Sequence, residues 1–80
     1  MTFKEQIEEV ISANGWDSQL VVERLPATAP GAPESVRVRM RIPHVAEPSG
    51  MVGDYVEGVH PLEQVQQECL RCLRTGHPGI

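Results

Sequence analysis

Residues 35–42 read SVRVRMRI, and no other stretch restricts the chain so tightly. Val36, Val38, Met40 and Ile42 alternate strictly with Ser35, Arg37, Arg39 and Arg41. A period of two is that of a β-strand, whose successive side chains point to opposite faces. The alternation predicts a strand with its apolar set on a core. Three guanidinium groups then project from the other face, spaced about 7 Å apart.

The flanking segments supply the rest of a small domain. Residues 2–14 carry Phe3, Ile7, Val10 and Ile11 at helical spacing, one apolar stripe. Thr2 and Glu5 fit a capping box, and Asn14-Gly15 is a suitable stop. Residues 18–25, SQLVVERL, predict a strand with two candidate inward faces, Leu20 with Val22 or Val21 with Leu25. PATAPGAP (26–33) and PHVAEPSG (43–50) are loops, because proline removes backbone donors and fixes φ. Residues 51–58, MVGDYVEG, predict a third strand weakened by Gly53 and Gly58.

Residues 61–74 predict a second helix. His60 stands near its cap, Pro61 at its first position and Glu63 in its first turn, where the dipole favours an acid. Leu62, Val65, Cys69, Cys72 and Leu73 form its apolar stripe, Gly76 its stop, and Pro78 follows. The expected architecture is therefore α+β, in the order α-β-β-β-α. It is a single domain spanning 1–80, a three-stranded antiparallel sheet with both helices on one face.

That order resembles the double-stranded RNA-binding domain. Gly31-Ala32-Pro33 before VRVRMRI is similar to the glycine-proline stretch before that family's second strand. The resemblance implies the fold. It also implies RNA contacts through the first helix, that loop and lysines opening the second helix, where they meet phosphates. Here the corresponding stretch is His60-Pro61-Leu62-Glu63-Gln64, which has no lysine, and the first helix offers Glu5, Glu8 and Glu9. The RNA-contacting residues do not carry over, which leaves the fold serving as a protein-binding module.

Composition narrows the function classes. Eighty residues bury only about 60–65% of their unfolded surface, so the core is small. No apolar run approaches the roughly 20 residues that span a bilayer. MTFKEQIEEV is charged where a signal peptide is apolar, so the expected compartment is the cytosol. The net charge is −4, with the signs segregated. Residues 35–42 hold Arg37, Arg39 and Arg41 and no acid, whereas residues 43–70 hold acids and no lysine or arginine. An acidic balance opposes broad nucleic-acid binding, which rests on many phosphate contacts. It suits a basic protein partner.

Cys69-x-x-Cys72 with His77 has the outline of a zinc knuckle, but the fourth ligand of a tetrahedral site is missing. On a helix both cysteines join the apolar stripe, and free cysteine behaves as a small hydrophobe. No metal and no cofactor are expected. There is no nucleophile with a local histidine signature and no phosphate-cradling glycine loop, so an enzyme is not expected either. Trp16 is expected to cap the core, while Tyr55 suits core or interface equally. His44 and Glu47 are isolated titratable groups in a loop.

The expectation is a non-enzymatic protein-binding module. In size and charge it looks like phage or mobile-element inhibitors of host defence, anti-CRISPR proteins among them. Glu47, Asp54, Glu57 and Glu63 would stand in for phosphates in a basic groove, with Tyr55 and the Arg37/Arg39/Arg41 stripe as further contacts. The stripe has a plainer role as a solvated face neutralised across strands by Glu23 and by Asp54 or Glu57. Its sharper alternative is a grip on an acidic partner, protein or nucleic acid, through bidentate guanidinium contacts, which in the second case makes it an RNA- or DNA-binding face. A homodimer contact through the open face or a strand edge is the third reading.

Overall fold

The computed structural model describes residues 1–77. It has the predicted order, with α1 at Phe3–Ala13, β1 at Leu20–Leu25, β2 at Ser35–Met40, β3 at Gly50–Val56 and α2 at Leu62–Thr75. The strands form an antiparallel meander in the order β1-β2-β3.

The alternation of β2 decides the layering. Val36 and Val38 are completely buried, and Met40 packs against the same core. Leu20 and Val22 supply the inward face of β1, which resolves the choice between its two faces. Both helices cover this side. Phe3, Ile7 and Ile11 come from α1, and Val65, Cys69 and Cys72 from α2. Each fully buried large aliphatic or aromatic side chain stabilises such a core by about 1.5–3 kcal/mol. Trp16, Leu62 and Leu73 close its margins.

β3 breaks its own alternation. Val38 pairs with Gly53 and Arg39 with Met51, so Val52 is an extra residue in a β-bulge. A bulge places two residues of one strand opposite one of its partner. Val52 and Gly53 are consecutive and both buried, after which Asp54 faces out and Tyr55 faces in.

The start of α1 is tied down over a long sequence distance. Three helical N–H groups precede the first intrahelical bond, Gln6 N to the Thr2 carbonyl at 3.0 Å. Phe3 N and Lys4 N donate to the Glu34 carboxylate at 2.8 and 3.3 Å. Glu5 N donates to Thr2 Oγ1 at 3.2 Å, one half of the predicted capping box, and that hydroxyl donates in turn to Glu5 Oε1 at 3.1 Å. Glu34 stands just before β2 and so pins the helix to the sheet.

The helix ends stop where expected. Gly15 has φ +73 after the Asn14 cap, and Gly76 has φ +76 and donates its N–H to the Cys72 carbonyl at 2.9 Å. Only glycine adopts that backbone freely. Several boundaries move. Residues 18–19 form a turn, in which Gln19 N and Leu20 N both donate to the Trp16 carbonyl, so β1 begins at Leu20. β2 ends at Met40 rather than residue 42, and Pro61 is the cap of α2 rather than its first helical residue. Pro78 lies outside the described residues.

Candidate functional site

The outer face of the sheet carries the charged side chains. Across its three strands Glu23, Arg37 and Asp54 are direct register partners. Arg37 chooses Asp54. Its Nε donates to Oδ1 at 2.7 Å and a terminal nitrogen to Oδ2 at 3.0 Å, a bidentate fork that matches guanidinium to carboxylate. Arg39 has no acid opposite it, because its register partners are Val21 and Met51. It reaches diagonally to Glu23 Oε1 at 3.4 Å. The hydrogen bond to Arg37 holds the Asp54 carboxyl below its ordinary range, and Asp54 raises Arg37 in return.

The stripe is thus neutralised across strands at two of its three positions, by Asp54 and Glu23 and not by Glu57. Arg41 lies past the end of β2, exposed and in no ion pair among the described residues. Its backbone N–H donates to the Gln19 carbonyl at 2.8 Å.

The predicted acids do not form one cluster. Glu47 sits in the loop before β3, whereas Glu57 follows β3 and Glu63 opens α2, so β3 separates them. All three are exposed and in no ion pair among the described residues, whereas Asp54 is committed to Arg37.

Tyr55 offers no contact surface. It is 1% exposed, its hydroxyl donates to Glu68 Oε2 at 2.8 Å, and its ring meets His60 edge-on at 5.2 Å. Burial, then the Glu68 carboxylate, push the phenol well above its ordinary value. The hydroxyl needs a buried acceptor, and Glu68 supplies it one turn before Cys72.

Cys69 and Cys72 are buried, and the Cys72 thiol lies 3.7 Å from Met40 Sδ. Burial first, then Cys72, push the Cys69 thiol up to about 12. His77 is exposed at the end of α2. Among the described residues no three His, Cys, Asp or Glu side chains are grouped so as to hold a metal ion. No helix among them is long and apolar enough to cross a membrane.

A cleft that sequence reasoning missed opens where β2 and α2 end. It measures about 450 Å³ and is walled by Met40, Arg41, Ile42, Pro43, Leu73 and His77, among others. Its only sequence signal was that Ile42 continues the apolar alternation beyond the last paired residue. Compared with protein-family models, curated proteins and solved structures, the chain matches none.

Proposed function

We propose that this chain is a non-enzymatic protein-binding module that presents acidic surface to a basic partner. The observation that supports it is the charge state of the open sheet face. Arg37 and Arg39, which a nucleic-acid interface would need, are already engaged by Asp54 and Glu23. Glu47, Glu57 and Glu63 stand exposed without ion-pair partners among the described residues. Phosphate binding by the stripe would compete with two surface pairs, each worth little, whereas the acids meet a basic surface without that competition.

The α-β-β-β-α order, which resembles the double-stranded RNA-binding domain, here serves as a scaffold for protein contact. Fold alone does not set function, so the argument rests on the side chains. In size and charge the chain is similar to phage and mobile-element inhibitors of host defence, anti-CRISPR proteins among them. In that role Glu57 and Glu63 occupy phosphate positions in a nucleic-acid-binding groove of the target, with Glu47 as a separate contact. Asp54 joins them only if Arg37 releases it.

The test pairs two assays. A gel shift with duplex RNA and with single-stranded DNA at low salt is expected to show no retardation. Capture of a partner from source-cell lysate is expected to fail at high salt and with the Glu57→Lys/Glu63→Lys double variant. Retardation of nucleic acid that Arg39→Glu abolishes overturns the proposal in favour of an RNA- or DNA-binding sheet face.

A further inference from the structure

The chain has seven lysine and arginine side chains, and four ion pairs engage Lys4, Arg24, Arg37 and Arg39. Among the described residues Arg41, Arg71 and Arg74 are in no ion pair. Arg41 follows β2, while Arg71 and Arg74 lie in the closing turns of α2. Those two element ends meet across the 450 Å³ cleft, since Met40 and Arg41 form one wall and Leu73 and His77 another. Arg41 lines this apolar cleft, while Arg71 and Arg74 lie outside its walls on the α2 turns that carry Leu73.

The walls are held in place. The sulfur of Met40 rests 3.7 Å from Cys72 Sγ, which joins the cleft floor to α2. Ile42 to Val45 form a tight turn closed by Val45 N to the Ile42 carbonyl at 3.2 Å, with His44 at φ 71. The turn leaves Ile42, a wall of the cleft, 37% exposed. A volume of this size lies within the roughly 300–1,000 Å³ of ligand pockets and accommodates one or two large side chains.

We propose that the cleft docks an acidic segment of a partner protein that carries a large apolar side chain. The apolar side chain fills the space between Ile42, Pro43 and Leu73, and a flanking carboxylate meets Arg41. Arg71 and Arg74 orient the approach. This is the usual build of a binding hot spot, an apolar anchor in a pocket under a charged rim. On its other side Arg41 borders a smaller cleft of about 310 Å³ whose walls carry Glu8 and Asp17, and that cleft repels an anion. Nucleic acid fits poorly, because single strands need aromatic platforms for their bases. Phe3 and Tyr55 are buried, and Trp16 packs against the core. The cleft uses none of the acids of the proposed basic-partner surface, so either reading can fail alone.

The experiment titrates the full chain into a fluorescein-labelled short peptide of glutamate and aspartate around a central leucine-phenylalanine pair. Anisotropy is expected to show saturable binding. Arg41→Glu, at an exposed position, is expected to weaken it at least about tenfold. Ile42→Ser is expected to weaken it about fivefold through lost apolar contact. A peptide with serine in place of leucine and phenylalanine is expected to bind no better than the Ile42→Ser protein binds the original. Arg24→Glu makes the same change of net charge at the other end of the sheet and is expected to leave binding unchanged. Far-UV circular dichroism verifies that each variant is folded. The proposal is overturned by absence of saturable binding up to about 1 mM, or by equal effects of Arg41→Glu and Arg24→Glu. It is also overturned if sedimentation shows a dimer that Ile42→Ser dissolves, which makes a second copy the occupant.

Discussion

Replacing Glu34 by alanine strips two of the three N–H groups at the start of α1 of their acceptor. A hydrogen bond to a charged group contributes about 1.5–3 kcal/mol when well made. The bond to Phe3 N at 2.8 Å qualifies, and the one to Lys4 N at 3.3 Å is weaker. Water replaces part of the loss at this half-buried site, and the dipole term adds about 0.3–1 kcal/mol. The 3.9 Å approach of Arg24 to Glu34 adds almost nothing, because the Arg24 side chain is 72% exposed. The net expectation is about 2 kcal/mol. In a domain of this size that lowers Tm by about 8–16 °C. Glu34→Gln keeps an acceptor but loses the charge, and is expected to cost about half as much. Glu57→Ala removes an exposed carboxylate from the neighbouring segment and serves as the control. Thermal melts followed by circular dichroism read all three. A Glu34→Ala protein that melts within about 2 °C of wild type refutes the claim that this carboxylate fastens helix to sheet.

Further expectations follow from the core and the open face. Tyr55→Phe keeps the ring and leaves Glu68 without its donor, at a cost of about 1 kcal/mol in urea denaturation. Cys69 and Cys72 are expected to resist thiol reagents in native protein and to react fully in denaturant. The folded Cys69 thiol lies above its unfolded value, so its contribution is complete below about pH 9 and is lost as pH rises from there toward 12. Urea midpoints across pH 8–10 measure that loss, and a Cys69→Ala variant is expected to show less of it, while above about pH 10 the raised Tyr55 phenol adds a loss of the same sign in both proteins. Asp54 has the opposite sign, since its folded carboxyl lies below the unfolded one. Its contribution is complete above the ordinary carboxylate range and fades as pH falls through and below it. Glu23→Gln with Asp54→Asn frees Arg37 and Arg39. In a gel shift at low salt the double variant is expected to retard single-stranded DNA that the native chain leaves free.

Local pattern made most of the architecture legible. The alternation of residues 35–42 placed Val36, Val38 and Met40 inward and the arginines outward, and the two apolar stripes placed the helices. Opposite charges at strand spacing made the neutralised face legible as well. Legibility stopped where distance in sequence or a break in period intervened. Nothing local to Glu34 announces that it caps a helix about thirty residues earlier. Tyr55 suited either side of the sheet because the bulge at Val52 shifts the alternation that would have decided it. Arg41 looks identical to Arg37 and Arg39 in the pattern, yet β2 ends before it and no acid stands across from it.

That bulge also bears on how the chain tolerates change in length. Upstream of Val52 the outward residue of β3 is Met51, and downstream it is Asp54, so one inserted residue carries the strand from one parity to the other. Deleting Val52 closes the bulge and leaves Met51 and Asp54 facing out and Tyr55 facing in, but it takes a buried side chain out of the core. The exposed 26–31 loop carries no such constraint and absorbs insertions freely. Diverged copies of this chain are therefore expected to differ in length between β1 and β2 while keeping the residue count of β3.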